Sequence, residues 1–366
     1  MYYCCKNCNK LWSHPVDKCI FCSSTVEKME ECNSYVVIGF SEVQVPSTGN
    51  EKTPYFIYML KDSNGNKTLK KSFQQYNIGD QFEIEKEESK DFKIGVIGTG
   101  SLGSQIAEYM LLRGYPTIIK TRTESSIDAI RKKIEKKLAK KLSEKELNAL
   151  LKNLLVTTGY SKLNTCDLII EAAAEDINIK KEIFRKLSEV CNEQTIFATN
   201  TSSLSIDEFA KVTDRPDKFI GMHFFNPVHK MELIEVVVGD ATSVATKDII
   251  TQFAIGLDKK PIVVKNSPGF IVNRYLLPQI NEAIRMLEEG ISSKEDIDSA
   301  IKLGLNHPMG PLELADFIGL DVCKSILEVL AEGFEVERLR PAKLLCEKVS
   351  EGKLGFKSGE GFYTWT

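Results

Sequence analysis

No apolar run in this chain of 366 residues approaches the roughly 18 residues that a membrane-crossing helix needs. Charge of one sign is equally scarce. The formal net charge is -3, from 48 basic and 51 acidic residues, which gives no global attraction to nucleic acid or to an anionic membrane. The first residues, MYYCCKNC, lack both the basic start and the apolar core of a secretory leader, so the expected setting is a reducing cytoplasm. Histidine is rare, with only His14, His223, His229 and His307 to carry any imidazole chemistry. The last absence is local. At the end of the second strand after a glycine-rich turn, where an acid usually holds an adenosine ribose, stand Lys120, Thr121, Arg122 and Thr123.

What is present argues for several domains, because the chain is too long for one ordinary core. Cys5, Cys8, Cys19 and Cys22 form C-x2-C-x10-C-x2-C, the spacing of two turns that each present two thiolates to one tetrahedral ion. Four sulfurs close the coordination sphere, so the expected metal is a structural zinc in a ribbon of residues 1–32. Cys4 and Cys32 flank this set, while Cys166, Cys191, Cys323 and Cys346 lie among apolar neighbours as small core residues.

Residues 33–90 read as β structure. SYVVIGFSEVQV and TPYFIYMLKD are β-branched and aromatic, SNGN is a turn, and NIGDQFEIEKE leads from a Gly-Asp turn into another strand. The expectation is a small OB-like β-barrel. Residues 33–92 carry seven Lys against nine Asp or Glu, and residues 1–32 carry four of each, which argues against nucleic acid as a partner.

After the charged junction EKEESKD the text alternates short apolar strands with amphipathic helices, the pattern of a parallel α/β sheet. This predicts an α/β Rossmann domain over 91–267 and an all-helical domain over 268–366, with no strand-like run until the final GFYTW. SIDAIRKKIEKKLAKKLSEKELNALLKNL reads as one long helical excursion. Its RKKIEKKLAKK run is first of all a solvated helix face.

Gly98-Thr99-Gly100-Ser101-Leu102-Gly103 is G-x-G-x-x-G between a strand and a helix. Gly98 permits the tight turn, Gly100 the approach of a pyrophosphate, and Gly103 close helix packing, with the helix N-terminus supplying N–H groups. Thr121 and Arg122, with Thr123 and Lys120, would bond and neutralise a 2′-phosphate that an acid there would repel. The expected cofactor is therefore NADP(H). The alternative is that Arg122 only stacks on adenine and NAD(H) is accepted.

His223 ends the apolar strand KFIGMHF, and Glu235 sits twelve residues on within MELIEVVV. A carboxylate among apolar residues needs a partner, and an adjacent strand would bring it to His223. In isolation a core histidine and a surface-facing glutamate would be the better reading of these two residues.

GVIGTGSLG, DLIIEAAAED, TNTSSLSI, HFFNPVHKMELIEVV, NSPGFIVNR, LGLNHPMGPLELADFIGLD and GEGFY occur in one order over residues 92–366. This set resembles the L-3-hydroxyacyl-CoA dehydrogenase family, especially the bacterial 3-hydroxybutyryl-CoA dehydrogenases. The resemblance implies His223 and Glu235 as the catalytic dyad, and Ser202, Asn226 and Asn273 as the lining of the reacting oxygen and thioester. It implies Glu175, Lys180 and Lys357 as cofactor contacts, an acyl-CoA substrate, CoA contacts near the lysine-rich excursion, and a homodimer formed through the helical domain. Thr121 departs from the family's usual aspartate. The N-terminal ribbon and barrel resemble modules that accompany thiolase-like enzymes, which implies docking of such a partner or of acyl-CoA. A non-catalytic acyl-CoA scaffold is the alternative from another class, and NAD-linked oxidation of (S)-3-hydroxyacyl-CoA the alternative within the same one.

Overall fold

The computed structural model describes residues 3–5, 7, 11–12, 18–19, 22, 24–28, 34–43, 55–62, 65, 67–72, 75–83 and 92–365. The chain divides into two compact units, Met1–Glu88 and Ser89–Thr366. In the first, β1 (Tyr3–Cys5), β2 (Leu11–Trp12) and β3 (Val26–Lys28) form an antiparallel sheet in the order β2-β1-β3. A second sheet, ordered β6-β5-β4-β7, joins β4 (Ser34–Val43), β5 (Tyr55–Asp62), β6 (Lys67–Ser72) and β7 (Gln81–Glu83), all antiparallel. Alternation of side chains across the pleat puts Tyr35, Val37, Phe56, Tyr58, Leu60 and Phe82 into one small core. Among the described residues these strands make one open sheet, and the pairings do not close it into a barrel.

The second unit starts with β8 (Ile94–Ile97), α1 (Ser101–Leu112), β9 (Thr117–Lys120), α2 (Ser125–Leu138), α3 (Glu144–Leu151) and β10 (Leu154–Thr157). It continues through β11 (Leu168–Glu171), α4 (Ile177–Val190), β12 (Ile196–Thr199), α5 (Ile206–Ala210), β13 (Phe219–Phe224), β14 (Leu233–Val238), α6 (Val244–Gly256) and β15 (Lys260–Lys265). The eight strands form one sheet ordered β10-β9-β8-β11-β12-β13-β14-β15. Strands β8 to β13 are parallel, but β14 and β15 run the other way, so the sheet is mixed where the sequence pattern suggested a parallel one. A tight loop at Asn226–Met231 replaces a helical crossover between β13 and β14, and a connection that short can only reverse the chain.

Helices cover both faces of the sheet, which explains the continuous apolar strands. Leu168 and Ile170 pack on one side with Met110, Ile134 and Ile250, while Ile169 packs on the other with Phe184 and Phe209. The long helical excursion is two helices. Ser143 and Glu146 form a reciprocal capping box that ends one element and starts the next.

Helices α7 (Val272–Glu288), α8 (Lys294–Gly304), α9 (Pro311–Ile318), α10 (Leu320–Phe334) and α11 (Lys343–Ser350) build the helical domain around Leu277, Ile280, Ile284, Leu312, Leu327 and Leu330. Among the described residues the final GFYTW makes one isolated bridge, Thr364 with Glu360, while Asp316 accepts the Phe362 and Tyr363 amides and the Trp365 indole N–H in place of a ladder. Among the described residues no helix is long and apolar enough to cross a membrane.

Candidate active site

The glycine turn links β8 to α1. Gly98 has φ of 113°, and a Cβ there would meet the Ala172 carbonyl oxygen at 2.2 Å. A Cβ on Gly103 would meet the Gly98 oxygen at 2.3 Å, so these two positions are closed to any larger residue. Gly100 differs, since a Cβ there would meet nothing within 4 Å. Space at Gly100 is open, and helix α1 starts there with no side-chain cap and no acid in its first turn. Uncapped N–H groups beside open space fit a dinucleotide diphosphate.

The turn, from Gly98 through Thr99, Gly100, Ser101 and Leu102, lines a cleft of about 550 Å³. Lys120, Thr121, Arg122 and Tyr160 stand along the same cleft. Thr121 is buried just past the end of β9, and its amide donates to the Thr157 oxygen at 2.8 Å. The Lys120 ammonium lies 4.3 Å from the centre of the Tyr160 ring. Burial, then repulsion from Lys186 and Arg122, lowers its pKa below the usual lysine value. Among the described residues neither Lys120 nor Arg122 has a carboxylate within ion-pairing distance.

At the other end of the sheet, antiparallel register sets His223 directly opposite Glu235. The imidazole Nδ1 lies 2.7 Å from Glu235 Oε2, with the two side chains 8% and 1% exposed. A carboxylate can only accept, so Nδ1 carries the proton and Nε2 is the free nitrogen. Glu235 Oε1 accepts the amides of Ile271 and Val272 at 3.0 and 3.1 Å, the first N–H groups of α7. Phe270, at φ of 52°, and Gly269, at 70°, make the left-handed turn that aims those amides at the carboxylate. Phe225 and Phe270 flank the imidazole at 4.5 and 5.9 Å.

A third group lies at the ends of β11 and β12. Ser202 donates to Glu175 Oε1 through its amide at 2.8 Å and its hydroxyl at 3.2 Å, and Thr201 adds a third bond at 2.5 Å. Asn273, in the first turn of α7, donates to the Ser202 carbonyl at 2.9 Å. Burial pushes the Glu175 carboxyl up, but Lys180, Thr201 and the Ser202 amide outweigh it and hold it below the ordinary value. Lys180 is only 1% exposed and lies between Glu171 at 2.7 Å and Glu175 at 3.2 Å. Glu171 also accepts from Thr199 and the Ala173 amide. Sequence reasoning did not single out Glu171, although an acid closing the apolar strand DLIIE was a signal for it.

Asn226 is the second residue of the loop after β13, ahead of a cis peptide to Pro227. Its Oδ1 accepts from Gln105 Nε2 at 2.9 Å, and Gln105 Oε1 accepts the Val228 amide at 3.1 Å. Gln105 is the other residue missed, hidden as one polar position in an amphipathic helix. The structure thus brings His223 to Glu235, and Ser202 to Glu175, Lys180 and Asn273. It does not bring Lys357 to the glycine cleft, because that side chain pairs with Asp321 at the start of α10.

In the N-terminal unit the thiol sulfurs of Cys5, Cys19 and Cys22 all lie within 4.8 Å of one another, with Cys5 and Cys22 at 3.4 Å. The Asn7 amide donates to the Cys5 sulfur at 3.4 Å. Cys8 and His14 lie outside the described residues. Cys166, Cys191 and Cys323 are buried, as apolar surroundings require, and Cys346 is half-buried.

A doubly wound sheet, an open glycine turn and a histidine–carboxylate pair on the same unit define a dinucleotide-binding oxidoreductase fold with an acid–base site. Residues 93–267 match the 3-hydroxyacyl-CoA dehydrogenase NAD binding domain, and residues 269–365 match the C-terminal domain of the same enzymes. The chain belongs to the 3-hydroxyacyl-CoA dehydrogenase family. It is 47% identical over 278 residues to the 3-hydroxybutyryl-CoA dehydrogenase of Clostridioides difficile, a match that covers 75% of this chain and 99% of that one. It is 41% identical over 284 residues to the mitochondrial hydroxyacyl-coenzyme A dehydrogenase of Homo sapiens, covering 74% of this chain and 90% of the other. The crystal structure of (S)-3-hydroxybutyryl-CoA dehydrogenase PaaH1 from Ralstonia eutropha matches with a TM-score of 0.71 and 41% identity, over 75% of this chain and 99% of that one.

Proposed function

We propose that this protein catalyses reversible hydride transfer between NADP(H) and the 3-position of a short acyl-CoA, of the acetoacetyl-CoA and (S)-3-hydroxybutyryl-CoA type. The observation that carries the reading is the buried His223–Glu235 pair at 2.7 Å, on the same sheet as the open Gly100 turn. The bound nicotinamide supplies the hydride in reduction and accepts it in oxidation. In reduction His223 donates a proton from Nε2 to the oxygen on which charge develops, and Glu235 stabilises the imidazolium. In oxidation neutral His223 takes that proton back. Ser202 and Asn226 hydrogen-bond the same oxygen, and Asn273 holds the Ser202 backbone. Glu175 contacts the cofactor with Lys180 bracing it from beneath, and Lys357 reaches the cofactor only by releasing Asp321.

The preference for the 2′-phosphate rests on Lys120, Thr121 and Arg122, two cations and a hydroxyl where a carboxylate would repel it. The test is kcat/KM for NADPH and for NADH with acetoacetyl-CoA, in wild type and in Arg122→Ala. A preference for NADPH that collapses in the variant supports the reading. Equal use, or preference for NADH, overturns it and favours NAD-linked oxidation. Activity lost in His223→Ala but kept without residues 1–90 separates an enzyme from an acyl-CoA scaffold.

For the N-terminal unit we propose a zinc ribbon over 1–32 with Cys5, Cys8, Cys19 and Cys22 as ligands, and an OB-like module over 33–90. Three sulfurs within 4.8 Å of one another support the ligand set, since a tetrahedral ion draws its thiolates together in this way. The module docks a thiolase-like or other acyl-CoA enzyme, and the helical domain over 268–366 forms a homodimer. One zinc per chain by elemental analysis, lost in Cys19→Ser, checks the site.

A further inference from the structure

We infer that Gln105 is a positioning residue that sets which end of the Asn226 amide faces the reacting oxygen. The inference rests on the proposed role of Asn226 as a ligand of that oxygen. The two ends of an amide side chain differ only in hydrogen-bonding capacity, so their orientation follows from fixed donors nearby. The Val228 amide is such a donor, because a backbone N–H cannot accept. It lies 3.1 Å from Gln105, so the atom facing it is the Gln105 oxygen. The other end of Gln105 is then its NH2 group, 2.9 Å from Asn226 and 3.2 Å from the Ser101 hydroxyl. A group that donates must face an acceptor, so Asn226 turns its oxygen toward Gln105. Its own NH2 group is left pointing away, and Asn226 is exposed rather than packed. The chain Val228 to Gln105 to Asn226 therefore leaves a donor available where negative charge develops on the substrate oxygen. Without it the amide is free to rotate and present an oxygen there, which would repel that charge.

Gln105 stands in the first turns of α1, two residues beyond Gly103, and it reaches across to the loop that follows β13. The helix whose N-terminus would hold the cofactor diphosphate thus also orients a group at the reacting carbon. This places cofactor binding and alignment of the oxygen ligand on one rigid element.

Gln105→Glu is the discriminating variant. A carboxylate still accepts from Val228 but cannot donate to Asn226, so the amide turns and spends its NH2 group on the new acid. Gln105→Met keeps the volume and removes both bonds, and it serves if the charged variant folds poorly. The full-length protein is assayed with acetoacetyl-CoA for kcat and for both KM values. The C3 carbonyl stretch of bound, isotope-labelled acetoacetyl-CoA is recorded by infrared difference spectroscopy without reduced cofactor.

Losing one oxyanion donor costs about 10²–10³-fold in kcat. Gln105→Glu is expected near the lower figure, Gln105→Met at roughly a tenth of that loss, and both with KM values unchanged within about two-fold. The carbonyl band, shifted to lower frequency in wild type, returns toward its free position in Gln105→Glu and in Asn226→Ala. In the Asn226→Ala background, Gln105→Glu adds no further loss. If Asn226→Ala slows the reaction and shifts the band while both Gln105 variants keep wild-type values, the inference about Gln105 is overturned and the role of Asn226 stands. If Asn226→Ala itself changes neither, Asn226 is no ligand of the oxygen, and the inference falls with that reading.

Discussion

At the β13–β14 end of the sheet, both oxygens of Glu235 and one nitrogen of His223 already have partners within the protein. At the β8–β9 end, Lys120 and Arg122 line a cleft with no carboxylate in ion-pairing distance among the described residues, and the helix start beside them is uncapped. The two ends face different tasks. On the proposed function a proton is delivered along one direction, which suits an imidazole locked by Glu235 with only Nε2 free among the described residues. On the same reading a cofactor must arrive and leave, which suits cations that have no carboxylate partner among the described residues. On the proposed function, then, saturation goes with chemistry and unsatisfied charge with binding.

Removing the imidazole is the harshest way to break this contrast. His223→Ala is expected to lower kcat by about 10²–10⁴-fold with the fold intact, read by steady-state assay with acetoacetyl-CoA. Retained activity would make the saturated end merely structural. Lys180→Met extends the contrast to stability. It leaves the buried Glu171 carboxylate without its cation, at an expected cost of about 3–5 kcal/mol in urea denaturation of the larger unit. A loss below about 1 kcal/mol would mean that the saturation matters little to stability.

At the unsatisfied end, Lys120→Ala and Arg122→Ala are each expected to reduce the NADPH to NADH ratio of kcat/KM about 10-fold or more, the worth of one charge-assisted hydrogen bond. Stability should change little, since among the described residues neither cation has an ion-pair partner to lose. The smallest effect is on pH. Glu175 has a depressed folded pKa, so its contribution to stability is present above the ordinary value of 4.5 and is lost as pH falls through the folded value. Acid unfolding of wild type should therefore steepen below about pH 4.5, and Glu175→Gln should remove that part of the slope. An unchanged slope would show that Ser202 is held by its backbone alone.

Much of this site was legible because several local constraints coincide in single residues. Gly98 and Gly103 are each fixed by a close approach within a strand-turn-helix that the apolar pattern reveals. His223 and Glu235 are legible as polar residues in two apolar strands, and antiparallel pairing then sets them face to face. What was hidden depends on tertiary neighbours. Gln105 reads as one more polar residue on a helix until the Val228 loop is folded beside it, 123 residues away in sequence. The reversal at β14 and β15 follows from a short loop rather than from strand composition. The break between α2 and α3 was written in Ser143 and Glu146, but continuous helix propensity on either side masked it. GFYTW has the composition of a strand and was captured instead by the Asp316 carboxylate.

The carboxylate that orients His223 also receives the first amides of the helix that opens the C-terminal domain. Glu235 thus ties the orientation of His223 to the docking of α7. A nascent or partly opened chain, with its sheet formed but α7 undocked, holds a carboxylate free to turn toward water and an imidazole with no fixed tautomer. Such a molecule would bind nucleotide through its glycine turn yet stay silent as a catalyst. On the proposed function, turnover would begin only when the last domain arrives, and catalytic competence would report on the completeness of the molecule that carries it.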